Sequence, residues 1–134
     1  MPKSNYVIPF RALLRQIGLD EELKDGPIEL TREQMFTLIR TLLDFAPIDE
    51  AWYRKTYPDV EQAIASGVTK SGKTHFVTNG YFEGRHHGPI KVDEEFYLSK
   101  YPDVAEGIKF GEITSAQEHF DQHGFIEGRL PYEL

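Results

Sequence analysis

The chain of 134 residues contains no cysteine, which excludes disulfides, thiolate metal sites and a cysteine nucleophile and leaves the redox compartment open. Long apolar runs are missing too: no stretch approaches the ~18 residues that a membrane-spanning helix needs. The opening segment, Met1 to Gly18, holds Arg11 and Arg15 within its apolar stretch and has no small-residue cleavage pattern, so it does not read as a signal peptide. The expected address is the cytoplasm, or a particle released without Sec-dependent export. A concentrated basic stretch is equally absent. Residues 1–47 carry 6 basic and 7 acidic side chains, residues 48–91 carry 6 and 5, and residues 92–134 carry 3 and 10. The formal charge of −7 therefore sits in the last third. With no basic face to release counterions from a polyanion, nucleic acid is not an expected partner.

What remains, 40% hydrophobic and 28% charged residues, suits one compact domain or two very small modules. The organising feature is an internal repeat. A gapless shift of 44 residues aligns Ile48–Arg85 with Val92–Arg129, and 16 of the 38 positions are identical, several times what unrelated segments share. Shared landmarks are Asp49/Asp93, Tyr53/Tyr97, Tyr57-Pro58-Asp59-Val60 against Tyr101-Pro102-Asp103-Val104, and Gly67/Gly111. They continue with Ser71/Ser115, His75-Phe76 against His119-Phe120, Gly80/Gly124, and Glu83-Gly84-Arg85 against Glu127-Gly128-Arg129. The chain accordingly divides into an amino-terminal segment (residues 1–47), a first unit (48–91) and a second unit (92–134).

Each unit reads as short helices punctuated at matching places. Asp49 or Asp93 is placed to cap a first helix, which Tyr57-Pro58 or Tyr101-Pro102 ends, because proline lacks a donor and restricts its predecessor. Asp59 or Asp103 is expected to cap a second helix, with Val60 and Ile64, or Val104 and Ile108, at i and i+4, and with Gly67 or Gly111 as its stop. Ser71 or Ser115 caps a third, for which Gly80 or Gly124 is the expected stop. Helices this short do not stand alone in water, so the units must bury apolar faces against each other or against the preceding segment.

In that segment, Thr31 to Gln34 is a capping box and Leu30 with Met35 a candidate staple. Met35, Leu38, Ile39, Leu42 and Leu43 form one apolar stripe. Pro9 to Ile17 is a second helix, stopped at Gly18, and Leu19 to Ile28 with Gly26-Pro27 is a loop. The predicted fold class is all-α: two tandem repeats of short helices packed with one or two amino-terminal amphipathic helices, which serve for packing or for homo-oligomer formation.

The order of acidic-aromatic opening, Tyr-Pro-Asp-Val, His-Phe, Gly and Glu-Gly-Arg resembles a short repeat of bacterial proteins linked to surface polysaccharide. That repeat accompanies glycosyltransferase domains, occurs in some secreted surface proteins, and is similar to modules with which phage-like gene-transfer particles hold a capsule. The resemblance covers residues 48–131 and implies association with a phage-like particle or the cell surface. It transfers no catalytic residue. One departure stands out: His86-His87-Gly88-Pro89 closes the first unit, where Leu130-Pro131 follows the arginine of the second.

Three chemical signals need weighing. Gly67 to Thr74 satisfies the phosphate-loop pattern G-x-x-x-x-G-K-[ST], but it follows a short capped helix instead of a buried strand. Its counterpart, Gly111 to Glu118, lacks the motif. Nucleotide hydrolysis is not expected; Ser71, Gly72 and Lys73 keep a weaker claim to an isolated anion. His75, His86 and His87 lack a closed ligand spacing, so no metal and no cofactor is expected. His75 and His119 are expected to bond a nearby backbone group or the repeat's own glutamate, and Arg85 and Arg129 to clamp a carbonyl or the Tyr-Pro-Asp carboxylate. Acidic residues abound without an obvious cleft, so no catalytic residue is assigned and an enzyme is not expected. The expected function is a non-enzymatic binding module for bacterial capsular polysaccharide, gaining avidity from two related units. Its ligand-binding candidates are Trp52, Tyr53, Tyr57, His75, Arg85, Tyr97, Tyr101, His119 and Arg129. The alternative is a protein–protein adaptor or regulator docking a polysaccharide-synthesis enzyme through the amino-terminal helices.

Overall fold

The computed structural model describes residues 8–19 and 25–134. Part of the loop expected over residues 19–28, and the first seven residues of the opening segment, lie outside the described residues. The described chain is all-helical, with no strand among the described residues, and none of its helices is long and apolar enough to cross a membrane. The amino-terminal segment contributes α1 (Phe10–Gln16) and α2 (Arg32–Leu43). The first unit contributes α3 (Glu50–Thr56), α4 (Pro58–Ala65) and α5 (Gly72–His75), the last running on into a π-helical turn over Phe76–Gly80. The second contributes α6 (Glu94–Lys100), α7 (Pro102–Lys109) and α8 (Ala116–His119), with a π turn over Phe120–Gly124.

Local chemistry explains the starts. Asp49 and Asp93 accept the amides of Trp52 and Phe96, at 3.0 and 3.1 Å, while Ser71 and Ser115 accept those of Thr74 and Glu118, at 3.0 and 3.1 Å. The capping box of α2 is complete, Thr31 and Gln34 exchanging bonds of 2.9 and 3.1 Å. Asp59 and Asp103 do not cap. Proline at the first helical position moves the cap of α4 and α7 to Tyr57 and Tyr101, leaving the aspartates inside the first turn with their carboxylates free for other work.

The expected stops at Gly80 and Gly124 are also displaced. Both glycines are buried inside the π turns, and the chain continues to Gly84 and Gly128, whose φ of 77° and 78° is the left-handed conformation that releases it. Five-residue bonds make the turns: the amide of Tyr81 donates to the carbonyl of Phe76 and that of Phe125 to Phe120, each at 2.9 Å.

Each unit has its own core. Tyr53, Val60 and Phe76 anchor the first, with Leu43, Ile48, Trp52, Tyr57 and Ile64 packed around them. Val92, Tyr97, Val104, Ala116 and Phe120 anchor the second. The stripe of α2 is shallower than its sequence suggests: no residue of α2 is buried, and Leu30, Met35 and Leu42 stand exposed. The helix leans on the first unit instead, through Leu43 and through an edge-to-face contact of Phe36 with Phe82, ring centres 5.1 Å apart.

Candidate functional site

The nine selected residues separate into internal clamps and a surface. Tyr53 and Tyr97 are fully buried, which removes them as ligand contacts. Each phenol shares a 2.9 Å hydrogen bond with the Nδ1 atom of His75 or His119, so the histidines bond a tyrosine and not the backbone or glutamate expected of them. The hydroxyl also lies where a β-carbon on Gly80 or Gly124 would project, which is why glycine stands there. Burial pushes the Tyr53 phenol up to about 12 and Tyr97 in the same direction, and it lowers His119.

Arg85 and Arg129 are structural clamps of the expected kind. Nη1 and Nη2 of Arg85 donate to Asp59 at 2.9 and 2.7 Å, and those of Arg129 to Asp103 at 2.9 and 2.8 Å. Each Nε donates to Glu83 or Glu127, at 2.9 and 2.8 Å. The guanidinium carbons lie 4.8 and 4.9 Å from the ring centres of Tyr57 and Tyr101. The two tyrosine hydroxyls in turn accept the amides of His86 (2.9 Å) and Leu130 (2.7 Å). The guanidiniums, with Nε and both Nη atoms engaged, are poorly placed to bind sugar, and each covers one face of its tyrosine, Tyr57 as well as Tyr101.

The loop at Gly67–Thr74 already holds an anion, and that anion is protein. Glu50 accepts the amides of Gly72 at 2.6 Å and Lys73 at 3.0 Å, while Lys73 Nζ donates to the carbonyl of Asp44 at 2.7 Å. Phosphate would meet a carboxylate there, so the isolated-anion reading of Ser71, Gly72 and Lys73 is withdrawn. No group of three or more potential metal ligands occurs among the described residues.

Trp52 and Tyr57 do reach a surface. They line a groove of about 660 Å³, where the first unit also contributes Thr56 and His86, and the second Gln117 and Asp121. The connecting Pro89, Ile90 and Lys91 complete the lining. His86 is the hinge of this arrangement: its ring stacks on Phe125 with centres 3.9 Å apart and planes inclined by 34°. Burial lowers its basicity, against a smaller opposing pull from Asp121. Gln117 is fixed in the lining, donating to the carbonyl of Ile90 at 2.8 Å and to Asp121 at 3.1 Å and accepting the amide of Val92 at 2.9 Å.

Sequence reasoning found Trp52 and Tyr57 and missed His86, Lys91, Gln117 and Asp121. The available signal was the break in the repeat at His86, where a ring replaces Leu130 on equivalent backbone. The positions matching Trp52 and Thr56, namely Phe96 and Lys100, line a smaller concavity of about 430 Å³ with Asp93 and Glu133. The aromatic groove and its counterpart are therefore unequal. Compared with family models, with curated proteins and with solved structures, the chain matches none.

Proposed function

We propose that the chain is a non-enzymatic binding module for bacterial surface polysaccharide, and that the groove between the units is where the glycan lies. The observation that carries this reading is that one groove is lined by aromatic side chains, Trp52 and Tyr57, together with polar ones, Gln117, Asp121 and Lys91. Sugars present an apolar C–H face that suits an aromatic ring and a rim of hydroxyls that suits planar amides and carboxylates. The groove offers both, held on helices whose ends are capped and whose arginines are locked. The repeat's resemblance to polysaccharide-linked proteins supports the same class of ligand.

The test is capture of purified capsular polysaccharide, or binding on a glycan array, by the intact chain beside Trp52→Ala and Lys91→Ala, each checked for retained helicity. Selective capture that Trp52→Ala abolishes supports the groove. Capture no better than that of an unrelated acidic protein refutes it.

The adaptor reading is favoured by one observation of its own. Helix α2 has no buried residue and exposes Met35 and Leu42, an apolar surface on which a partner protein could dock. A polysaccharide-synthesis enzyme retained by the chain, and lost with Met35→Glu/Leu42→Glu but not with Trp52→Ala, would decide for it.

A further inference from the structure

The first unit has a second concavity, of about 670 Å³, walled by Thr69, Lys70, Thr74, His75, Thr78 and Asn79. Its cause is a side-chain exchange on a common backbone. In the first unit the amides of Val68 and Thr69 both donate to the carbonyl of Ala63, at 2.9 and 3.3 Å; in the second those of Glu112 and Ile113 both donate to Gly107, at 2.8 and 3.1 Å. Ile113 lies directly over Gly107, in space a β-carbon would need, and packs on the second core. The first unit has Ala63 and the half-buried Thr69 at those places. A short hydroxyl side chain thus replaces the isoleucine that fills the matching space.

The polarity of the wall changes as well. Lys70, Thr74, Thr78 and Asn79 correspond to Thr114, Glu118, Gln122 and His123, and in the second unit Glu118 accepts a 3.1 Å bond from Gln122. The first unit's wall is rich in neutral groups. Its acidic member, Asp59, is spanned by Arg85, and Lys70 makes no ion pair among the described residues. The Thr69 hydroxyl donates to the carbonyl of Ser71 (3.4 Å) and keeps its lone pairs to accept, while the Thr78 hydroxyl lies 2.8 Å from both the Thr74 carbonyl and the Asn79 side-chain oxygen, which leaves the Asn79 amino group to donate. Tyr53 fixes the ring of His75 through Nδ1.

We propose that this concavity is a subsite for an acidic sugar, a hexuronate unit of a polysaccharide. Lys70 pairs with the carboxylate, the threonine oxygens accept from sugar hydroxyls, the Asn79 amide donates to them, and the methyl groups of Ala63 and Val68 meet the C–H face. The inference rests on the glycan reading above for its ligand class only; the site shares no lining residue with the groove, and the second unit carries Ile113 where the site has Thr69.

The experiment is a titration of the intact, ¹⁵N-labelled 134-residue chain with α-1,4-linked trigalacturonate, and with uncharged maltotriose as the comparison, followed by amide chemical shifts. Trigalacturonate is expected to move the amides of Thr69, Lys70, Thr78 and Asn79 more than maltotriose does, with an affinity that falls as salt is raised. Ala63→Gly/Thr69→Ile, which installs the second unit's filling, should weaken binding at least tenfold. Lys70→Ala should weaken trigalacturonate at least fivefold without altering maltotriose. If the double variant fails to fold, Thr78→Val, at an exposed site, supplies the same test with an expected severalfold loss. Trp52→Ala should leave these shifts intact. Shifts confined to Trp52, His86 and Gln117, or an affinity indifferent to Lys70→Ala, would overturn this subsite while leaving the groove standing. Shifts at the subsite with a silent groove would do the reverse, and no shift with either sugar overturns the subsite.

Discussion

The hydroxyl of Tyr53 occupies the space in which Gly80 would carry a side chain, and the hydroxyl of Tyr97 does the same to Gly124. This contact ties the first helix of each unit to the π turn of its last, and it places Nδ1 of His75 or His119 within 2.9 Å of the same oxygen. Gly80→Ala is therefore expected to cost about 2–3 kcal/mol, as overpacking of a closed core does, read as a lower urea midpoint at unchanged slope. Tyr53→Phe alone should cost about 1 kcal/mol for the lost hydrogen bond. Because phenylalanine removes the clashing oxygen, Tyr53→Phe/Gly80→Ala should be more stable than the sum of the single effects predicts. A purely additive cycle would show that the hydroxyl is not what excludes the methyl group.

Much of this was legible beforehand, and the reasons are local. Asp49, Asp93, Thr31, Ser71 and Ser115 cap because their short oxygens reach the amides three residues on, a relation set by the chain itself. Gly80 escapes a one-dimensional reading because its role is set by Tyr53, 27 positions away; Asp59 fails to cap for a local reason, the proline before it, while its clamp by Arg85 is legible in the sequence. A buried glycine close to a phenol and a left-handed glycine at a helix end look the same in one dimension. The groove was half legible for the same reason: Trp52 and Tyr57 advertise an aromatic wall, whereas Gln117 and Asp121 acquire meaning only when the second unit faces the first.

Arg85→Lys is expected to destabilise the chain although it conserves charge. Lysine cannot span both oxygens of Asp59, reach Glu83 and cover Tyr57 at once. The ion pair is largely solvent-exposed, so the expected loss is about 1 kcal/mol, with ring packing a substantial share. Its pH dependence has a definite sign. Arg85 holds the Asp59 carboxyl below its ordinary value. The contribution is therefore fully present above the unfolded-state aspartate range and lost as pH falls through the lower folded-state value. Urea unfolding at pH 7 and at successively lower pH should show the wild-type advantage over Arg85→Lys shrinking towards acid; a gap that stays constant would rule out the Asp59 pair as its source.

Glu50→Ala should destabilise the first unit, since the amides of Gly72 and Lys73 lose their acceptor at the start of α5. An expected loss of about 1–2 kcal/mol follows from leaving partly buried donors unmatched. Lys73→Ala removes only the reach to the Asp44 carbonyl and should cost less. Neither variant should change nucleotide affinity, because the phosphate-loop pattern here encloses a carboxylate. Tight ATP binding by the wild-type chain, measured calorimetrically and lost on Lys73→Ala, would contradict this reading of the loop.

His86 is expected to give the groove a pH response. Its neutral ring stacks on Phe125, and burial lowers its folded-state basicity below the ordinary value of 6.5. A depressed value means that the stabilisation is complete above pH 6.5 and is lost as pH falls through the folded-state value, the unfolded chain taking up the proton first. Histidine ring titration by NMR should place His86 below a model histidine. Stability measured between pH 7.5 and 5 should fall more for the wild type than for His86→Phe, which keeps a ring against Phe125 but cannot charge. Polysaccharide capture should weaken over the same interval, because a charged His86, which lines the groove beside Tyr57, is less well accommodated against Phe125. Capture that stays flat with pH while the His86 resonance titrates would separate the ring from the binding surface.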